Sequence, residues 1–291
     1  MKITALGGGH GLAVVLRAAR RVTDDVTAVV TVADDGGSSG RLRRDLGTLA
    51  PGDLRKCLVA LARDETWAAA YEHRFRGGEL DGHALGNLVI VGLVESIGDP
   101  VAALAEAARP VAAVGRVLPA TSEPVVLTAE IDGAAIRGQV AVQSSTGRIG
   151  SVGLVPNDAE SPPAVRTAIA AADLVVLAPG SLFTSLLPVV CVQEIGVALR
   201  ETAAHVVQVA NLQNEIPETE GLDAVDHLRA VLDHGGRVDS FLFQTPGELT
   251  ADPDAVRALG SEPVPADVSA PSGLVHDPAR LATALSVLLE S

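Results

Sequence analysis

Aromatic side chains are nearly missing from this chain: one Trp, one Tyr and four Phe in 291 residues. Since 47% of the residues are apolar all the same, Val, Leu, Ala and Ile must fill the core, a composition that suits a parallel sheet covered by helices. Cysteine is scarce as well. Cys57 and Cys191 lie in apolar helical contexts, form no metal or redox pattern, and read as buried free thiols of a reducing cytosol. Basic charge is in deficit, with 22 Lys and Arg against 36 Asp and Glu and a net charge of −14. That balance excludes a general nucleic-acid or anionic-membrane surface, but allows one phosphorylated small molecule held in a local positive island.

A basic-then-apolar leader is also lacking, because strand-like residues begin at once. The uncharged run 174–193 is long enough to suggest a membrane span. Pro179-Gly180-Ser181 and Pro188 break it, and Asp173 and Glu194 bound it closely, so it reads as strand, turn and helix rather than as part of an integral membrane protein. No fixed-period repeat divides the chain, and residues 1–291 are expected to form one α/β domain.

What is present is an alternation of strands and helices. Strands are predicted at 3–6, 26–32, 174–178, 205–210 and 238–243. Helices are predicted at 12–21, 53–63, 83–97, 100–108, 163–172, 186–201, 223–233 and 278–290. Between 116 and 145 the pattern changes to alternating apolar and polar residues. Asp132-Gly133 there separates strand-like runs 125–131 and 135–142, which predicts an antiparallel hairpin excursion. The Pro- and Ser-rich stretch 245–277 reads as a long, partly irregular connection. The expected fold is a doubly wound, mostly parallel sheet.

In such sheets ligands bind beyond the carboxyl ends of the strands. Four polar or glycine-containing turns fall there: 7–11, 34–40, 179–185 and 211–214. In the first, four glycines occupy five positions between strand and helix, an arrangement that aims backbone N–H groups at an anion. Taken alone it serves either as a phosphate cradle or as a tight structural turn. Leu12 stands where a dinucleotide fingerprint needs its third glycine, and no Gly-Lys-Ser/Thr closes a P-loop. The second turn, Asp34-Asp35-Gly36-Gly37-Ser38-Ser39-Gly40, offers carboxylates for sugar hydroxyls, a base edge or Mg²⁺, or simply an Asp-rich turn.

Arg41, Arg43, Arg44, Arg55 and Lys56 make a basic island. Arg41 and Arg55, each beside a glycine turn, are the expected phosphate contacts, with Arg43 and Arg44 on a solvated helix face. His83 and Asn87, four residues apart, would share one helical face at the mouth of an apolar helix and meet a ligand. Gly180 and Ser181 follow a buried strand as a second candidate anion site. Gly-x-Ser-x-Gly is absent, and His73, His205, His227, His234 and His276 lack metal-ligand spacing.

The blocks Gly7-Gly-Gly-His-Gly-Leu12, Val32-Ala-Asp-Asp-Gly-Gly-Ser-Ser-Gly-Arg-Leu42, Pro51-Gly-Asp-Leu-Arg55, His83-Ala-Leu-Gly-Asn87, Pro179-Gly-Ser-Leu182 and Asp226-His227, in this order, resemble the gluconeogenesis-factor (YvcK-like) family. That family belongs to a wider group with the 2-phospho-lactate transferases (CofD-like) of deazaflavin cofactor synthesis. The resemblance implies a Rossmann-like fold and a cytoplasmic bacterial protein. It implies binding of UDP-sugars such as UDP-N-acetylglucosamine or UDP-glucose, and a role in growth on gluconeogenic carbon sources, cell shape and cell-wall synthesis.

Carried over by residue, the resemblance puts Gly8, Gly9, His10 and Gly11 around phosphate. Asp34, Asp35, Ser38 and Ser39 would lie on the nucleotide-sugar or metal side; Gly36, Arg41, Asp53 and Arg55 are further expected ligand-binding residues. His83, Asn87, Gly180 and Ser181 would close the pocket, with Asn211 at its edge. His10 stands where many relatives have Thr and Lys56 where Asn is more usual, and Gln213-Asn-Glu-Ile-Pro217 is a variant loop.

Two functions follow from this reading. One is a UDP-sugar sensor that needs no cofactor and regulates partners, including cell-wall synthesis proteins, by conformational change; a homodimer is compatible with it. The other is a transferase of a phospho-containing group, with Asp34, Asp35 or Asp53 holding Mg²⁺ or Mn²⁺ beside a nucleotide. A nicotinamide-dependent oxidoreductase is disfavoured by the glycine spacing.

Overall fold

The computed structural model describes residues 1–290. Short, unpunctuated aliphatic runs become fully buried strands: β1 (Ile3–Gly7), β2 (Val26–Val30), β7 (Leu174–Leu177) and β9 (Ser240–Gln244). With β3 (Arg116–Pro119), β8 (His205–Val209) and β10 (Glu262–Ala266) they build a seven-stranded sheet in the order β10-β9-β8-β7-β1-β2-β3. Every pairing in it is parallel. The chain runs outward from β1 through β2 to β3, then returns to the other flank of β1 and runs outward again from β7. The reversal lies between β1 and β7, where Leu6 is in register with Val29 on one side and Leu177 on the other. At such a switch point the connections leave in opposite directions and open a crevice.

The helices that frame this crevice follow from local signals. In α1 (Gly9–Val22) the face carrying Leu12, Ala13, Val15, Leu16, Ala18 and Ala19 is buried. It packs against α3 (Pro51–Leu61) and the closing helix Pro278–Glu290. Between α1 and α3 in sequence lies α2 (Gly37–Leu46), and α3 begins with proline at its first position. Then come α4 (Glu65–Glu72), α5 (Leu85–Ile97) and α6 (Pro100–Ala108), the first and last capped by Asp64 and Asp99.

The antiparallel excursion is a three-stranded sheet, β5-β4-β6, made of β4 (Val126–Ile131), β5 (Ala134–Arg137) and β6 (Ile149–Val155). Asp132 and Gly133 both take positive φ at the tip of the predicted hairpin. The excursion begins only after residue 119, since β3 pairs with β2 in the main sheet. Residues 139–143 are a short helix, α7 (Gln139–Gln143), not the continuation of a strand. Asp35 explains it: its carboxylate accepts from the N–H groups of Gln139 at 3.0 Å and Val140 at 2.9 Å, pinning the first turn of α7.

The stretch 245–277 is not irregular throughout. It contains a helix, Pro253–Ala258, and the edge strand β10, which pairs only with β9 and so tolerates Pro263 and Pro265. The predicted helix 186–201 is broken into a π-helical turn Leu182–Leu186 and helices Leu187–Val190 and Gln193–Glu201, bent by 73°. No single helix among the described residues is long and apolar enough to cross a membrane. Cys57 is buried as expected, whereas Cys191 is only half-buried.

Candidate functional site

Two turns face each other across the switch point. After β1 the chain passes through Gly8 into the first turn of α1, and after β7 it turns at Pro179 and Gly180. The turns touch: a Cβ on Gly11 would stand 1.7 Å from the carbonyl oxygen of Pro179. Only glycine permits that approach. Beside the contact lies a cleft of about 350 Å³, lined by Gly8, Gly9, His10, Gly11, Asp34, Gly36, Asp53, Gly180 and Ser181. Asp53 stands over Gly8, with its Oδ2 2.6 Å from where a Cβ would be.

Asn211 reaches the same region from the end of β8. Its Oδ1 accepts from Gly180 N at 2.8 Å and its Nδ2 donates to Gly180 O at 2.9 Å, so the amide clamps both sides of that residue. It lines an adjoining cavity of about 490 Å³ that shares His10, Gly11, Gly180 and Glu215 with the cleft.

Other expected site residues lie outside the cleft lining. Asp35 is committed to α7. Ser38 Oγ lies 3.0 Å from His83 Nδ1 and accepts from Asn87 Nδ2 at 3.0 Å, and all three are buried. The motif 83–87 therefore anchors the start of α2. His83 also precedes the helix, so the two side chains converge on Ser38 without sharing a helical face. Ser39 Oγ accepts from Gly52 N at 3.1 Å and locks α2 to α3.

The basic island divides. Arg41 donates to Asp81 O at 2.6 Å, and buried Arg55 donates to Glu72 Oε1 at 2.7 Å. Arg43 is not solvated: its guanidinium donates to Ala33 O at 3.2 Å and to Val125 O, tying the 34–40 turn to the start of the small sheet. Arg44 stays exposed beside Asp45, as expected.

The cation of the basic island that does reach the cleft is Lys56, not the expected Arg41 or Arg55, and Thr31, Gln139, Val140, Gln143, Thr184, Ser185 and Glu215 line it without having been singled out in the sequence. The signal for Lys56 was its place one turn after Asp53 on a single helix. No local signal marks 139–143, which tertiary contacts bring to the site. Glu218 was missed too. Its buried carboxylate accepts from Phe183 N at 2.7 Å, Ser181 Oγ at 2.5 Å and Thr184 Oγ1 at 3.3 Å, so it organises the turn after β7. The Ser181 hydroxyl is thereby already engaged.

Burial sets the protonation of the site. It pushes Asp34 up, helped by the neighbouring charge of Asp53 and opposed by the N–H of Gly36 at 3.0 Å. Burial and then Lys56 hold His10 below its ordinary value, which leaves it neutral at pH 7. Burial, with the charge of Glu218, raises Glu215 to about 7. Lys56 Nζ lies 3.0 Å from Asp53 Oδ1, and among the described residues no other Lys or Arg lines the cleft.

Among the described residues no group of three His, Cys, Asp or Glu is placed to hold a metal ion. Of the three carboxylates named as alternatives for a metal, Asp35 is occupied by the first turn of α7. Asp34 and Asp53 remain as a pair that could share an ion whose further ligands would be waters and the oxygens of a bound phosphate.

A family model described as 2-phospho-L-lactate transferase CofD matches residues 3–275. The chain belongs to the CofD family. Within it, the chain is 45% identical to a Mycobacterium tuberculosis (strain H37Rv) protein provisionally named a gluconeogenesis factor, over 97% of this chain and 89% of the relative. It is 40% identical to the gluconeogenesis factor of Bacillus subtilis (strain 168), over 81% of this chain and 75% of that one. The fold matches a crystal structure of a UPF0052 family member from Bacillus halodurans with a TM-score of 0.93, 34% identity and 98% of both chains covered. Together these bear out the resemblance and the α/β fold read from the sequence.

Proposed function

We propose that this CofD-family protein is a cytoplasmic UDP-sugar-binding regulator, a gluconeogenesis factor that takes UDP-N-acetylglucosamine or UDP-glucose into the switch-point cleft. In this reading occupancy signals nucleotide-sugar supply to cell-shape and cell-wall functions. The observation that carries it is the joining of two glycine turns at the switch point with one buried-edge cation, Lys56, between them. Backbone N–H groups at the head of α1 and a single ammonium suit a diphosphate. Thr184, Ser185, Gln139 and Gln143 add hydroxyl and amide groups for a sugar.

Calorimetric titration with UDP-N-acetylglucosamine, UDP-glucose, GDP and NAD, each with EDTA and with Mg²⁺, tests the reading. Micromolar, metal-independent binding of the UDP-sugars without product is expected. Absence of binding overturns it.

The second reading is a transferase of a phospho-containing group, favoured by the family description and by Glu215, whose pKa of about 7 suits a general base. Asp34 and Asp53 would then share a divalent ion with the donor phosphates. Metal-dependent product formation in the same titrations would decide for it.

A further inference from the structure

The cavity that adjoins the cleft has a different chemistry. Most of its wall is apolar, from Val14, Pro179, Leu212, Leu274, Val275 and Pro278, with Arg17, Asn211 and Gln213 at polar points around it. Leu274 and Val275 are 62% and 59% exposed, unusual for large apolar side chains next to a polar cleft. A tight turn presents them: residues Ser269 and His276 form an isolated bridge, and Ala270 N donates to Val275 O at 2.8 Å. His276 at the end of this turn is buried, and its Nε2 has no hydrogen-bond partner. Buried polar atoms in folded proteins are seldom left so.

We propose that this cavity is a nucleobase subsite, taking the flat heterocycle of the nucleotide whose phosphates lie in the glycine cleft. The inference rests on the nucleotide-sugar reading of that cleft and extends it. Two neighbouring compartments have to be shared by a base and a sugar. A sugar carries a hydroxyl on nearly every carbon, and each one buried against Leu or Val would lose hydrogen bonds to water. A pyrimidine has two apolar faces and confines its polar atoms to its edge.

The apolar cavity therefore fits the base and the amide- and hydroxyl-lined cleft fits the sugar. Burial holds His276 down to about 4, so its imidazole is neutral; with its other ring nitrogen engaged by the Ala210 backbone, Nε2 is left to offer the base edge an acceptor. His10, Gly11, Gly180 and Glu215 line both compartments, so a ribose and diphosphate can pass from one to the other without leaving the protein.

The test compares UDP-N-acetylglucosamine, UDP and inorganic pyrophosphate on the wild type and on the double variant Leu274→Ala, Val275→Ala, whose changes are at exposed positions. The two nucleotides are expected to weaken together by roughly tenfold or more, with pyrophosphate altered less than twofold. In parallel, the imidazole ¹⁵N signals of His276 should shift on adding UDP but not pyrophosphate. Weakened UDP-N-acetylglucosamine with unchanged UDP would place the sugar in this cavity and overturn the assignment. Unchanged affinity for both nucleotides, with a silent His276, would overturn it as well. A wild type that binds none of the three overturns the reading of the cleft, and the base subsite with it.

Discussion

Lys56 Nζ sits 3.0 Å from Asp53 Oδ1, one turn away on α3, with the two side chains 25% and 9% exposed. Their pairing holds the ammonium at the cleft and keeps the carboxylate that overhangs Gly8 from standing unneutralised. The pair is neutral as a whole, and its ammonium is the cationic group that the cleft presents in a chain whose net charge is −14.

Replacing Lys56 with Gln should weaken UDP-sugar binding by roughly 10- to 100-fold, the loss of one charge-assisted hydrogen bond to phosphate at about 1.5–3 kcal/mol. Titration calorimetry reads the affinity, and a circular dichroism spectrum confirms the fold. An affinity within a factor of two of wild type would remove Lys56 from the site.

Ser38→Ala separates structure from binding. It strips His83 and Asn87 of their shared partner in a buried place, at a cost of about 1–3 kcal/mol in stability. Urea denaturation should show that loss, while ligand affinity of the folded protein stays within about threefold. A large loss of affinity without loss of stability would return Ser38 to the ligand.

Glu218→Ala should be more damaging. It removes the acceptor of Phe183 N, Ser181 Oγ and Thr184 Oγ1 together. Charge-assisted bonds of this kind are worth about 1.5–3 kcal/mol each. A melting temperature several degrees below wild type is expected, with ligand restoring only part of it.

Binding should depend on pH through Glu215. Its folded value of about 7 lies above the ordinary carboxylate value of 4.5. It therefore keeps its proton between these limits when folded, and its contribution to stability falls as pH rises across that window. Above about 7 it adds a negative charge beside Asp34, Asp53 and Glu218, opposed by Lys56, while His10 is neutral. Affinity for a diphosphate should decline as pH passes from 6 to 8, and Glu215→Gln should flatten that decline. An equally steep decline in the variant would assign the titration elsewhere.

Much of this was legible in the chain. The strand–glycine–helix sequence from Ile3 to Val22 and the buried strands predicted the parallel sheet and the glycine turn after its first strand, because both signals are local. Four turns were placed at strand ends, of which the first three contribute residues 8–11, 34, 36, 180 and 181 to one cleft with Asp53, while Asn211 of the fourth bonds to Gly180 beside it. What stayed hidden depends on distant partners. Residues 139–143 alternate like a strand, yet the Asp35 carboxylate nucleates a helix there. Pro263 and Pro265 disguised β10, since nothing nearby in sequence reveals that a strand has an open edge. The arginines looked alike, and only packing assigned Arg43 to Ala33 and Val125, Arg55 to Glu72, and the cleft to Lys56.

The contact between Gly11 and Pro179 joins the first turn of the protein to one made after more than half of it has been synthesised. Gly180 is in turn clamped by Asn211, and the adjoining wall ends at Pro278. A growing chain on the ribosome therefore lacks a complete cleft until residue 215 has emerged, and lacks the adjoining wall until residue 278 has. Fragments from partial translation or proteolysis would lack one wall and could not compete with the finished protein for ligand.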